Sequence, residues 1–136
     1  MVIVDTTVWV DYFRRGSTTA ETEWLDRELG LQRIGLTDVI LCEVLQGVRL
    51  EESFVQVRDE LLKCHVFETG GTALAIQAAL NYRTLRQHGH TVRKTIDCLI
   101  ATFCLQHGHA LLHRDRDFDA FEQRLGLQVI HPEAPQ

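Results

Sequence analysis

Four acidic residues stand beside apolar segments of the chain, where solvated surface charges are not expected. Asp5 directly follows the apolar run VIV, and Asp115 follows ALLHR. Glu43 lies inside ILCEVL, and Asp97 lies near the start of the apolar segment TIDCLIA. Removing a lone carboxylate from water is costly unless a partner stabilises its ionised form. The placement of these acids therefore predicts partners of opposite charge.

A divalent cation would balance several converging carboxylates more completely than the few basic side chains nearby. Those side chains are Arg93, Lys94, Arg114 and Arg116. Oxygen ligands without an accompanying Cys/His pair favour Mg²⁺ or Mn²⁺ over zinc. Two such ions about 3.5–4 Å apart would activate a water and stabilise the leaving oxygen in phosphodiester hydrolysis. The acids therefore indicate a metal-dependent phosphodiesterase.

Each acid also has a possible role that requires no metal. Asp5 is placed to cap the helix after it, and Asp97 near a helix N-terminus is favoured by the helix dipole. Asp115 belongs to RDRDFD, a charge run of the kind found on solvated surfaces. Glu43 is the hardest to explain in this way, because an apolar face in mid-helix gives no reason for a Glu. The joint placement of the four acids indicates a site more strongly than any one of them.

Short apolar runs alternate with helical patterns along the chain. The predicted strands are 2–4, 34–37, 66–68, 110–113 and 127–130, and the predicted helices are 7–13, 20–29, 39–46, 51–63, 72–87, 96–106 and 118–124. Asp38 and Thr95 are predicted to cap the third and sixth helices. This alternation is typical of an α/β domain with a mostly parallel sheet covered on both faces. Ligands of such sheets bind beyond the carboxyl ends of the strands, where Asp5 and Asp115 fall.

The bulk properties fit one compact domain over residues 1–136, with a loose tail from residue 130 onward. A formal net charge of -5 argues against a protein that holds nucleic acid by bulk charge alone. The opening MVIVDTTVWVDYF lacks the basic segment of a signal peptide, and no apolar run is long enough to span a bilayer. The four cysteines show no CxxC spacing, as expected of reduced thiols in a cytoplasmic protein.

Four segments together resemble the PIN-domain nucleases, and in particular the VapC-type toxins of toxin–antitoxin pairs. The segments are VIVDTTVWVDYF, LTDVILCEVLQGV, TVRKTIDCLIATFCLQHG and ALLHRDRDFDAF. They follow the family's order and span nearly the whole chain. By this resemblance Asp5, Glu43, Asp97 and Asp115 match the family's four metal-binding, catalytic acids. Asp117 matches an auxiliary acid that is a further metal ligand or lies next to the ligands.

The resemblance implies a three-layer α/β/α sandwich with a mostly parallel central sheet, and a Mg²⁺- or Mn²⁺-dependent endoribonuclease. It also implies cleavage of single-stranded or looped RNA, homodimers, and inhibition by a cognate VapB-type antitoxin whose C-terminal segment covers the acidic groove. Thr7 stands where the family often has Ser, Thr or Asn, placed to hydrogen-bond an acid or a water at the metal. The family's first motif more often reads Asp-Thr-Ser, and the Asp-Thr-Thr of this chain keeps that hydroxyl.

Basic residues lead directly into the expected site. The segment 69–96 contains no acid, and it carries Arg and Lys side chains up to the residue before Thr95. Arg93 and Lys94 flank the site, so we predict that they bind RNA phosphates. A solvated helix face followed by a loop would explain the same charges without RNA.

Two rival functions are left open by the sequence. A haloacid-dehalogenase-like phosphatase also begins with an Asp at the end of its first strand, but it needs a second Asp two residues later as acid and base. Position 7 of this chain is Thr, which counts against that chemistry. The other rival is a catalytically silent PIN-like module that only binds RNA or protein. Missing acids would indicate such a module, and none of the four is missing.

Overall fold

The centre of the molecule is a four-stranded parallel sheet. The computed structural model describes residues 1–14, 18–31 and 33–133. The strands are β1 (Val2–Val4), β2 (Ile34–Thr37), β3 (His65–Phe67) and β4 (Ala110–Leu112). Their order across the sheet is β3-β2-β1-β4, and every pairing is parallel. The predicted parallel sheet is therefore confirmed.

Helices follow the strands and cover the sheet. They are α1 (Thr6–Phe13), α2 (Ala20–Glu28), α3 (Asp38–Gln46), α4 (Glu51–Leu61), α5 (Gly71–Gln87), α6 (Thr95–His107) and α7 (Asp119–Leu125), with a short 3₁₀ helix at Arg116–Phe118. All residues of β1 and β2 are buried, so both faces of these strands are covered. The α/β/α sandwich implied by the resemblance is confirmed.

Two predicted helix caps are wrong. The N-cap of α3 is Thr37, whose side chain accepts from the backbone N of Ile40, while Asp38 is the first helical residue. The Asp38 carboxylate instead accepts hydrogen bonds from the backbone N and the hydroxyl of Thr69, 31 residues away. The N-cap of α6 is Lys94, without a side-chain cap, so Thr95 also lies one position inside its helix.

The end of the chain departs from its predicted strand. Residues 127–130 contribute one parallel bridge, between Val129 and Leu111, rather than a full strand. Ile130 donates its backbone N to the carbonyl of Leu111 at 2.9 Å, and His131 contacts Glu122 at 2.7 Å. Residues 134–136 of the predicted tail lie outside the described residues. The extent of the single domain over 1–136 stays a prediction.

None of the helices in the described part of the chain combines the length and apolar character needed to cross a membrane.

The carboxyl ends of the neighbouring strands β1 and β4 bring distant segments together. Asp5 follows β1, and its backbone N donates to the carbonyl of Leu112, the last residue of β4, at 2.9 Å. The chain leaving β4 then runs into the 3₁₀ helix that contains Asp117. This edge of the sheet therefore gathers the start of α1 and the segment after β4, as the strand-end rule predicts.

Candidate metal centre

Asp5 is a buried carboxylate that also caps α1. Its exposed fraction is 2%, and its Oδ2 accepts hydrogen bonds from the backbone N of Thr7 at 3.2 Å and from the Thr7 hydroxyl at 2.7 Å. Burial raises the pKa of Asp5 to about 6, with these hydrogen bonds acting in the opposite direction and Glu43 adding to the rise. Capping is thus a real role of Asp5, and it uses Oδ2 of the carboxylate.

Thr7 joins two elements at the site. Its hydroxyl donates to Asp5 and accepts from the backbone N of Arg114 at 3.1 Å. The single hydroxyl therefore fixes the first acid relative to the chain that leaves β4. This contact agrees with the prediction that Thr7 hydrogen-bonds an acid.

Asp97 is the least satisfied acid of the site. Its exposed fraction is 5%, and among the described residues its Oδ2 has no hydrogen-bond partner. Burial raises its pKa to about 7, and the negative charges of Asp5, Asp115 and Asp117 add to that rise, while Lys94 opposes it. An unpartnered buried oxygen surrounded by other acids is a place where positive charge is missing.

Asp115 and Asp117 complete a close group with Asp97. One carboxylate oxygen from each of these three acids lies within 4.8 Å of the other two. Asp115 is held by its own neighbourhood: its Oδ1 accepts from the backbone N of Asp117 at 2.9 Å, and its backbone N donates to Nδ1 of His113 at 3.0 Å. Asp117, expected from the resemblance only as an auxiliary acid, therefore belongs to the closest group of acids.

Glu43 stands at the edge of this group. It is half-buried on α3, and its Oε1 accepts from the hydroxyl of Thr6 at 2.8 Å. Because Thr6 directly follows Asp5 in the chain, this hydrogen bond brings Glu43 near Asp5, and the charge of Glu43 adds to the rise in the pKa of Asp5. The surroundings of Glu43 are less apolar than its mid-helix position predicts, because Gly47 on the same face of α3 is exposed. Thr6 was missed by the sequence reasoning, although a second hydroxyl beside Asp5 was its signal.

The basic residues near the site are placed unequally. Arg93 contacts Asp117 through Nε at 3.2 Å, with its own side chain 73% exposed and that of Asp117 11% exposed. Arg114 instead contacts Asp11 at 2.6 Å and Glu21 at 3.8 Å. Within the described ranges, no Lys or Arg side chain forms an ion pair with Asp5 or Asp97. Among the described residues, the two most buried acids therefore have no basic ion-pair partner, although Lys94 lies close enough to act on the pKa of Asp97.

These residues fit a hard divalent cation. The group offers carboxylate oxygens only, one of them buried without a partner, and no thiol or imidazole converges on it among the described residues. Several oxygen ligands with a high negative charge are the set that Mg²⁺ and Mn²⁺ prefer. Asp97, Asp115 and Asp117 lie closest together and could hold such a cation, with Asp5 and Glu43 beside them.

Comparison with known proteins assigns the chain to a family. Residues 2–123 match the family model described as PIN domain. The chain belongs to the PIN-domain family. This PIN domain is similar to VapC ribonuclease Mb1587 of Mycobacterium bovis and to ribonuclease VapC11 of Mycobacterium tuberculosis. Each is 34% identical over 133 residues, which cover 95% of this chain and 97% of the relative. At that identity and coverage, this PIN domain is a member of the VapC ribonucleases.

Solved structures share the fold of this PIN domain. FitAB bound to the IR36 DNA fragment gives a TM-score of 0.74 with 18% identity, covering 98% of both chains. VapBC2 from Rickettsia felis, bound to a DNA fragment from its promoter, gives a TM-score of 0.72 with 15% identity, covering 96% of this chain and 98% of that one. At these identities the likeness concerns the fold alone.

Proposed function

We propose that the protein is a divalent-metal-dependent endoribonuclease and the toxin of a VapBC-type toxin–antitoxin pair. Asp5, Glu43, Asp97 and Asp115 are its proposed catalytic, metal-binding acids, and Asp117 is a further metal ligand. The observation that carries this proposal is the buried, unpartnered Oδ2 of Asp97 next to other carboxylates. The membership of the chain in a family whose curated relatives are named ribonucleases supports it.

The proposed cofactor is Mg²⁺ or Mn²⁺. Asp97, Asp115 and Asp117 would hold the cation, because their oxygens already lie close together. A bound divalent cation would offset the charge of the phosphodiester and favour deprotonation of the attacking water. Without it, a carboxylate cluster of this kind would repel the anionic backbone of RNA.

The residues around the acids have separate tasks in this proposal. Thr7 holds Asp5 in place, and Thr6 does the same for Glu43 through its hydroxyl. Arg93 and Lys94 would hold the RNA phosphates on either side of the scissile bond, since positive charge beside the metal positions the backbone. The contact between Arg93 and Asp117 keeps this guanidinium at the edge of the acid cluster.

The proposed partners follow from the relatives. We propose a cognate VapB-type antitoxin, a homodimer, a higher assembly of toxin with antitoxin, and a cytoplasmic location where RNA is available. The structure from Rickettsia felis is named as a VapBC2 complex with promoter DNA, and another similar structure is a toxin–antitoxin complex from Klebsiella pneumoniae. These names support the pairing of a toxin of this fold with an antitoxin.

The substitution Asp5→Asn tests the proposed activity. The Asn side chain retains an acceptor for the backbone N of Thr7 but loses the negative charge, so the fold persists while metal-dependent cleavage falls by more than about a hundredfold. RNA ends are mapped after induced expression of the wild-type protein, of this variant and of the control Asp59→Asn, whose side chain is 58% exposed on α4.

The variants separate the proposed function from its rivals. The wild-type protein and Asp59→Asn should produce new RNA ends, and Asp5→Asn should produce none while still binding RNA and antitoxin. Cleavage by Asp5→Asn at the wild-type rate would show that the site is elsewhere. Binding of RNA without cleavage by the wild-type protein in Mg²⁺ or Mn²⁺ would instead identify a silent binding module.

A further inference from the structure

A groove runs between α5 and α6 beside the acid cluster. Its volume is about 580 Å³, which is within the range of small-ligand sites. Arg93 lines one end of this groove and contacts Asp117 with the same side chain. Arg93 therefore connects the groove to the candidate metal centre.

The wall and floor of the groove are suited to a flat ring. Ala75, Ala78 and Ala79 lie on one face of α5, and their small side chains line one wall of the groove. Leu99 of α6 lines the groove as well. Tyr82 stands on the same face of α5, one turn further along. Its half-buried ring supplies the aromatic surface of the groove.

The charges around the groove are positive. Its lining includes Arg83, Arg86 and Arg93 and no acid. The guanidinium carbon of Arg86 lies 5.5 Å from the centre of the Tyr82 ring, a cation–π contact. In the described part of the chain, neither Arg83 nor Arg86 forms an ion pair, so both can receive phosphates.

We propose that this groove binds the base of the RNA nucleotide next to the scissile phosphate. The base stacks on the surface formed by Tyr82 and Arg86, and Arg83 and Arg93 contact the flanking phosphates. Bases of unpaired RNA stack on aromatic rings and on guanidinium planes, and such stacking tolerates different base identities. This inference rests on the proposed function, and it makes Tyr82 a residue that selects an unpaired nucleotide at the cut.

RNA explains the groove better than a peptide occupant does. An acidic peptide would pair with the three guanidinium groups, but it has no need of an aromatic ring covered by Arg86. RNA uses both features, because it alternates phosphates with flat bases. The continuity of the groove with the acid cluster through Arg93 also places its occupant next to the reacting phosphate.

A comparison of three RNA substrates tests this inference. A fluorescein-labelled, single-stranded RNA oligonucleotide carries a mapped cleavage site, and in matched oligonucleotides the base on one or the other side of the cut is replaced by hydrogen. Cleavage in Mg²⁺ or Mn²⁺ is measured for the wild-type protein, Tyr82→Leu, Tyr82→Phe, Arg86→Gln and the distant control Arg58→Gln. Circular dichroism and thermal melting check that every variant is folded.

We expect removal of the Tyr82 ring and removal of the stacked base to cause the same loss of cleavage activity. Removal of one of the two bases and the substitution Tyr82→Leu should each lower kcat/KM by about tenfold, mainly through KM, because each removes the same stack. Combining them should cost no more than either alone. Tyr82→Phe retains the ring and should cleave like the wild-type protein. Arg86→Gln should cleave more slowly, and Arg58→Gln should match the wild-type protein.

Four results would overturn the inference, and they fall under three interpretations. Losses that multiply, or wild-type cleavage by Tyr82→Leu, would show that the base lies elsewhere while leaving the ribonuclease function intact. Wild-type cleavage by Tyr82→Leu together with loss of inhibition by a co-expressed antitoxin would assign the groove to the antitoxin. Absence of cleavage of every oligonucleotide by the wild-type protein would contradict the proposed function itself.

Discussion

The side chains of Asp5 and Asp97 are both almost completely buried, but their hydrogen bonding differs. Two donors from Thr7 partly offset the burial of Asp5, whereas Oδ2 of Asp97 has no partner among the described residues. Unsatisfied buried oxygens are rare in folded proteins because each costs free energy. A cation at Asp97 would remove that cost, which is why this residue carries more of the argument than Glu43.

The four acids predicted from the sequence differ in burial and hydrogen bonding in a way that the sequence did not predict. The sequence pattern ranked Glu43 first because of its position in mid-helix, whereas Glu43 is half-buried and accepts from Thr6. Asp5 and Asp97 had simple alternative roles as helix-terminal acids, and their burial depends on how α6 packs against the sheet. Burial of a single side chain is a tertiary property, so local pattern could not rank these residues.

Arg93 offers a test at the scale of one residue. The substitution Arg93→Gln should leave the free energy of unfolding nearly unchanged, because its ion pair with Asp117 is solvent-exposed on the Arg side. The KM for RNA should rise several-fold, and the salt dependence of binding should weaken by about one phosphate contact. Steady-state cleavage at several salt concentrations measures both effects.

The control for this substitution is Arg58→Gln, which also removes an exposed Arg that contacts an acid. Arg58 lies on α4, away from the acid cluster. If both variants leave KM and its salt dependence as in the wild-type protein, Arg93 does not hold the RNA backbone.

At the scale of elements, Thr7 connects the start of α1 to the segment that leaves β4. The substitution Thr7→Val keeps the shape of the side chain but removes the hydrogen bonds to Asp5 and to the backbone N of Arg114. We expect the free energy of unfolding to fall by about 1–2 kcal/mol, because a backbone donor loses its acceptor. Urea unfolding measures this loss, and cleavage should fall with it.

Two further variants make the result for Thr7 specific. Thr7→Ser retains the hydroxyl and should keep most of the activity and stability. Thr84→Val removes a hydroxyl of α5 that donates to the carbonyl of Leu80 at an exposed position, and it should have little effect. Equal losses in Thr7→Val and Thr84→Val would mean that the link between α1 and β4 is unimportant.

The elements themselves were largely predictable, and their ends were not. The bounds of β1 and β2 match the structure because short, fully apolar runs signal buried parallel strands. The predicted N-caps of α3 and α6 each lie one residue too late in the chain. In α3 the carboxylate of Asp38 accepts a hydrogen bond from Thr69, a residue 31 positions away, and does not cap the helix. The strand expected at 127–130 is reduced to a bridge at Val129. Such endings depend on partners that are remote in the sequence.

The charge distribution of the whole molecule resolves an apparent conflict between its acidity and an RNA substrate. The net charge of -5 describes an acidic protein, yet the segment 69–96 contains no acid and supplies the basic side of the groove. Acids are concentrated around Asp97 instead. The composition argues against binding of RNA by net charge alone. In the folded protein, the basic side chains and the acidic side chains lie on adjacent surfaces.

The buried acids give the metal-free molecule a characteristic pH dependence of stability. The pKa values of Asp5 and Asp97 are raised to about 6 and about 7, above the value of about 3.9 expected for Asp in an unfolded chain. Between these limits the folded state binds protons that the unfolded state has released, so the free energy of unfolding falls as the pH rises from about 4 to about 7.

Thermal melting in the presence of a chelator checks this expectation. The melting temperature of the metal-free protein should be lower at about pH 8 than at about pH 5, and excess Mg²⁺ should raise it more at the higher pH, where the acids are ionised. Asp97→Asn removes one of the two titrations and should show a weaker pH dependence than the wild-type protein. An unchanged pH dependence in this variant would contradict the raised pKa of Asp97.

The central claim is that the carboxylate cluster binds a divalent cation, and a calorimetric titration of metal-free protein with Mn²⁺ tests it most directly. The account predicts saturable binding to the wild-type protein and to Asp59→Asn, and at least tenfold weaker binding to Asp97→Asn, because that variant lacks a charged ligand. Equal Mn²⁺ affinity in wild-type protein and Asp97→Asn, or no binding to the wild-type protein, would contradict it.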